Sequence, residues 1–436
     1  MKKLTLFTII LVITIGFSYA QQEKGIVGGT NWLSGWTEFR SGQENYGEPT
    51  QIITGNILEN TTLTKRETYL LVGNVFVIPG VTLTIEPGTV IMGDNKTNAT
   101  LTVAKGGTII ANGTETDPIV FTSNKGVKRA GDWGGIILLG EAPINKYGSG
   151  SVSSFYPKLN AANYRFTNYG GDNSKSSSGI LKYVRIEYAG KRVSVETYFN
   201  GLLLASVGSE TQINNVMVSN AADDAFEVWG GDVKLSNLVS YRAKGTDYKF
   251  NHGSQGVLYN SLAVRSPYSS NIQKARSLEV LSYDKRDEFD FTKAKTTLEV
   301  KNVTLLNESD NFEADMQKNL IHEAVYVGDF TQLNMVKSVI SGYNPAVIID
   351  SHVAINQQTL ESMSFREMYF NNCSGNIYVE NNKNNDDLEN WYGNRAFFNV
   401  YSKGDNVETF ISPGNNKRPD YRLRINKIIA TNVISD

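Results

Sequence analysis

The sequence predicts an all-β fold, a right-handed parallel β-helix closed by N- and C-terminal caps. Two observations carry this. Short apolar runs recur from about residue 52, such as Tyr69-Leu70-Leu71-Val72, Leu83-Thr84-Ile85 and Leu101-Thr102-Val103, each bounded by Gly, Asn or Asp nearby. Runs of this length with β-branched residues read as strands. The second observation is spacing. Asn215, Asn237 and Asn260 each open an apolar strand, at intervals of 22 and 23 residues, and Asn302 follows 42 residues later, close to two further periods. A period near 22 residues matches one turn of a parallel β-helix, in which each turn packs on its neighbours. Alternate residues then face the bore. Asparagines at one corner of successive turns are expected to bond to each other as a ladder.

Taken in order, the elements divide as follows. Lys2 and Lys3 precede the uncharged, mostly apolar stretch Leu4 to Phe17, and Ser18-Tyr19-Ala20 has small residues where cleavage is defined. Residues 1–20 therefore read as a cleavable secretory signal, too short in its apolar run for a membrane span. The mature chain is expected to start at Gln21 and to carry no transmembrane segment. Residues 21–50 form a polar lead-in and cap. Residues 51–380 form the β-helix, with an excursion at about 141–179 rich in Gly, Ser, Tyr and Asn. Residues 381–436 form a C-terminal cap or appendage. Excursions from a solenoid are where function concentrates.

Composition narrows the function classes. The charges nearly cancel, 42 Lys and Arg against 44 Asp and Glu, so the chain offers no strong field to nucleic acid or an anionic membrane. Cys373 is the single cysteine, so no intramolecular disulfide forms. His252, His322 and His352 show no zinc spacing, and no nucleophile elbow, P-loop or dinucleotide glycine pattern is present.

Three stretches carry a resemblance: Gly80-Val81-Thr82-Leu83-Thr84-Ile85-Glu86-Pro87-Gly88-Thr89-Val90-Ile91, Asp117-Pro118-Ile119-Val120-Phe121-Thr122-Ser123, and Gly131-Asp132-Trp133-Gly134-Gly135-Ile136. Together with Ala222-Asp223-Asp224-Ala225-Phe226-Glu227 they make roughly residues 50–340 resemble a family of exported β-helix proteins common in Bacteroidota. The resemblance implies the fold and export to the envelope or cell surface, and implies no established reaction. The family's usual second acidic cluster is replaced here by Gly245-Thr246-Asp247-Tyr248-Lys249-Phe250, which weakens a family cation site.

Four constellations could carry chemistry. Asp223, Asp224, Glu227, Asp247 and His252 come first. Asp247 falls 23 residues after Asp224, so a shared face on successive turns is expected, for acid/base hydrolysis of a glycosidic bond or for calcium. Asp-Asp with a later His-Gly resembles part of the polygalacturonase pattern, whose Asn-Thr-Asp and Arg-x-Lys elements are missing. Arg242, Lys244 and Lys249 supply the base a calcium-dependent lyase would need. Two acidic groups follow, Asp284, Asp287, Glu288 and Asp290, then Asp310, Glu313 and Asp315. The fourth set is aromatic: Trp32, Trp36, Trp391 and Tyr392 are the expected exposed rings for stacking on sugars, while Trp133 and Trp229 beside glycine pairs read as packed. The expectation is a non-enzymatic protein of the periplasm, outer-membrane surface or extracellular space, binding a glycan or envelope protein partner along its flank. The alternative is a polysaccharide hydrolase or lyase built on Asp223, Asp224, Asp247 and His252. No cofactor is required, and calcium is the one the acids could hold.

Overall fold

The computed structural model describes residues 24–195, 197–269, 275–382, 385–415 and 417–424. The signal segment and the expected start at Gln21 lie outside them. Twenty-nine strands among the described residues join in one continuous sheet whose ladders are all parallel. The chain winds it as a right-handed β-helix with three faces. One coil shows the plan: Asp232–Ser236 lies on face A, Val239–Tyr241 on face B and Tyr248–Asn251 on face C. The next coil repeats it with Gln255–Tyr259, Leu262–Arg265 and Leu278–Val280.

Alternation fills the bore. Ile213, Leu235, Leu258, Val300, Met335 and Phe365 stack in register on face A. Leu204, Val228, Phe250, Val280, Val327 and Ile349 do the same on face C. All are buried in one core that runs the length of the coil. Each coil adds its own apolar layer at the strand spacing of about 4.8 Å.

The corner from face A to face B is a single residue in the left-handed region. Tyr183, Asn215, Asn237, Asn260, Asn302, Lys337 and Glu367 occupy it in turn, with φ from 47° to 57°. Asparagine recurs there because its short polar side chain tolerates this conformation better than most. Among the described residues the expected ladder shows one rung, the Asn260 amide donating to Asn237 Oδ1 at 3.0 Å. Asn260 Oδ1 instead accepts from the Val27 amide at 2.8 Å, and the Asn302 amide donates to Gly25 O at 3.2 Å.

Those bonds belong to a strap formed by the segment expected as the N-terminal lead-in and cap. Residues 24–43 run along face B, where Ile26, Leu33, Trp36 and Phe39 bury the outward residues Met217, Val239, Leu262 and Val339. A C-terminal hairpin, Phe410–Ser412 with Asp420–Leu423, covers the same face. Arg422 donates to Gly28 O at 2.6 Å and Asn31 to Pro419 O at 2.8 Å, joining the two ends. The parallel ladder also passes residue 380: Val400–Ser402 still pairs with Tyr369–Asn371.

The stretch Gly131-Asp132-Trp133-Gly134-Gly135-Ile136 is a packing device. Trp133 is fully buried against Gly93, where a Cβ would lie 2.5 Å from its ring, and its indole N–H donates to Glu187 O at 2.8 Å. Gly135 has φ +145°, and a Cβ there would meet Asn200 O at 2.0 Å, so only glycine fits. No helix among the described residues is long and apolar enough to cross a membrane.

Candidate functional site

The three faces differ in what lies outside them. Face B is sealed by the strap and hairpin. Face A presents alternating exposed polar residues such as Lys234, Glu299 and Lys301, joined to face B by one-residue corners. Face C has loops on both sides: among the described residues 188–195, 197–201, 266–269, 275–277 and 308–324 before it, and 140–178, 281–295 and 350–362 after it. At its N-terminal half, Phe155, Tyr156, Phe166 and Tyr169 of the excursion bury the outward Ile137, Leu203 and Ala205. Beyond Leu203 the outward row changes character and becomes Glu227, Lys249, Glu279 and Tyr326, stacked in register on successive coils. This polar floor between two rows of loops is the candidate site.

Lys249 is its centre. Its ammonium lies 2.9 Å from Glu227 Oε1 and 3.5 Å from Asp224 Oδ2, with the side chain 22% exposed. Asn200 donates to the other Glu227 oxygen. The Thr246 amide donates to Asp224 Oδ1 at 2.6 Å. Burial disfavours the Lys249 charge, but Glu227, Asp224, Glu279 and Asp284 outweigh it and hold the pKa well above that of a free lysine. Lys249 is therefore a fixed cation at neutral pH and cannot accept a proton. Burial, with the Glu227 charge beside it, pushes Asp223 up to about 6. Burial also holds Asp224 well above the ordinary carboxyl range, against the pull of Lys249.

Asp247 is not on this surface. Phe226 pairs with Tyr248, so Asp224 is level with Thr246, and Asp247 is level with the inward Ala225. The expected alignment of Asp224 with Asp247 is one residue out of register, and one residue reverses the face. Asp247 is buried inside the coil, bonded by Ser240 at 2.5 Å, Ser277 at 2.9 Å and Arg265 at 3.0 Å. His252 is paired with Asp284 rather than with Asp223 or Asp224. Its Nε2 is 3.1 Å from Asp284 Oδ2, and its ring lies 5.7 Å from that of Trp229. Burial works to raise the Asp284 pKa, but hydrogen bonds from His252 and Asn251 and the charge of Lys249 together hold it well below the usual range. The four catalytic candidates thus have three different sets of bonding partners.

The basic set separates too. Arg242 pairs with Glu308 at 3.3 Å and lies over the Tyr241 ring, while Lys244 sits half-buried in the same turn. The remaining acids hold loops in place, within a loop or between neighbouring ones. Glu288 pairs with Lys146 at 2.5 Å, Asp290 accepts from Thr292, and Asp315 is buried against the Tyr268 and Ser309 hydroxyls. Lys249 occupies the position between Glu227 and Asp224 that a calcium ion would need. Among the described residues no three His, Cys, Asp or Glu side chains are arranged to hold a metal.

Of the expected stacking aromatics, Trp36 and Tyr392 are buried, which corrects their assignment as exposed rings. Trp36 is enclosed by Trp32 and Tyr183, and the Tyr392 hydroxyl donates to Met363 O at 2.9 Å. Trp32 is half-buried in the strap. Trp391 is 39% exposed, at the C-terminal end of the coil. Sequence reasoning missed a better aromatic platform beside face C. Phe289, Phe291 and Phe330 pack with centroids 4.5 to 5.8 Å apart, and Arg286 lies over both Phe291 and Phe330. Phe291 is 46% and Phe330 40% exposed. The available signal was a pair of phenylalanines flanking Asp290 inside a charged loop.

A family model described as a pectate-lyase-like β-helix domain matches residues 55–409. The chain belongs to that family. Membership supports a polysaccharide-related role for this pectate-lyase-like β-helix without distinguishing binding from cleavage. No curated protein and no solved structure matches it.

Proposed function

We propose that this pectate-lyase-like β-helix binds a glycan, or an envelope protein partner, along the outer surface of face C and does not cleave it. The observation that carries this reading is the division of Asp223/Asp224, Asp247 and His252 among three different sets of bonding partners, with the nearest lysine held as a cation. Acid/base cleavage needs a group within hydrogen-bond reach of the proton it moves, at a pKa near the working pH. Lys249 fails the second condition and Asp247 the first. The carboxylates of Asp224 and Glu227 are already committed to Lys249, Asn200 and the Thr246 amide. The loops beside face C and the Phe289/Phe291/Phe330 platform supply walls and apolar rings suited to holding a chain of sugars. The signal-like residues 1–20 support a place in the periplasm, on the outer-membrane surface or outside the cell.

The test is incubation of purified protein with a polysaccharide panel, scoring retention, new reducing ends and unsaturated products together. Retention without new ends is the expected result. New ends that disappear in Asp223→Asn would establish the hydrolase or lyase alternative, in which Asp223, with its pKa near 6, would act as the acid.

A further inference from the structure

The charge of face C says which glycans fit it. Down the floor, Glu227, Glu279 and Glu323 face Lys249 and Arg276. Below them the Tyr326 hydroxyl donates to Asp350 Oδ2 at 2.7 Å and to Glu380 Oε2 at 3.2 Å. Asp223, Asp224 and Asp284 lie at the upper end beside Lys249. These carboxylates outnumber Lys249 and Arg276, and the flanking-loop cations Lys146, Lys285 and Arg286 are already paired with Glu288 and Asp329. Burial first, and the Glu227 charge after it, push Asp223 up to about 6. A polyuronate laid on this floor would bring a further negative charge with every sugar. A basic floor or a bridging calcium would be needed to offset that charge. Here the floor is acidic, and the described residues present no three-carboxylate metal set.

We infer that the glycan held on face C carries no carboxylate, sulfate or phosphate groups, in contrast to the pectate of the family's description. Neutral hydroxyls can give hydrogen bonds to the Asp and Glu carboxylates, and can both give them to and take them from Asn amides, without adding charge. This inference rests on the binding reading above and specifies its ligand.

The experiment is affinity electrophoresis or pull-down of the full chain with uncharged glucans, mannans and xylans, with chitosan, and with polygalacturonate and alginate. It is run at about 10 mM salt, where the screening length is roughly 30 Å and repulsion is greatest. Each arm is repeated with millimolar calcium and with chelator. Retention of an uncharged glycan or chitosan, with both polyuronates passing through under all conditions, is the expected result. Polyuronate retained at least as well as the uncharged chains, with or without calcium, overturns the inference while leaving binding intact. Retention of nothing in the panel overturns glycan binding itself, and this inference with it.

Discussion

A single backbone conformation at Asn237 shows how much one residue decides. Its φ of 55° puts it where Cβ crowds the following carbonyl, a cost of roughly 1–2 kcal/mol for most side chains. Asn237→Leu adds a branched side chain and removes the acceptor for the Asn260 amide, so it should lower stability by about 1–3 kcal/mol in denaturant melts. Asn237→Gly should lose less, because glycine adopts this conformation freely. Glu187 gives a second test. It is buried on face B, accepting from the Tyr46 hydroxyl at 3.2 Å, with Arg185 3.5 Å away. Burial, only partly offset by Arg185, pushes its pKa from 4.5 up to about 7. Both states are protonated below about pH 4.5, so nothing is lost there. Between about 4.5 and 7 the unfolded chain ionises while the folded one keeps its proton. Stability should therefore fall across that window, by up to roughly 3 kcal/mol, and level off above it. Glu187→Gln should flatten this part of the pH profile; an unchanged slope would assign it to other groups.

At the scale of elements, the strap is the part whose role changed most between sequence and structure. Trp32 and Trp36 stand in a polar lead-in, which suggested exposure. In three dimensions Trp36 is the deepest anchor of a segment that covers the apolar outside of face B. Parallel strands buried on both sides need such cover, because their outward residues are as apolar as their inward ones. Trp36→Ala should cost about 3–5 kcal/mol, read as a lower melting temperature. A loss below 1 kcal/mol would mean the strap adds little to the fold. The acidic element illustrates the opposite case. Asp223, Asp224 and Glu227 were legible as a group, but their partner Lys249 was read as one basic residue among several. Its place between Glu227 and Asp224 depends on which residues face outward on adjacent coils.

For the whole molecule, three faces of the same solenoid take three fates: sealed, solvated and flanked by loops. That division places the candidate site, and it follows from where the long loops leave the coil. The export reading is tested separately. N-terminal sequencing of protein purified from its native source should begin at Gln21, and a chain beginning at Met1 would end that reading.

The parallel β-helix was determined by the sequence alone, since its period and strand alternation are local patterns that repeat coil after coil. The glycine and asparagine corners were legible for the same reason. Register, the strap and the charge of face C were decided only by the tertiary structure. Asp224 and Asp247 stand 23 residues apart, but the coil between their strands is 22 residues long, and that one-residue difference turns one carboxylate outward and the other into the core. The strap's long-range bonds span 147 to 394 residues of sequence, from Ser41 with Tyr188 to Gly28 with Arg422. No local pattern encodes partners at such a distance. They are selected by the apolar surface that face B would otherwise leave in water.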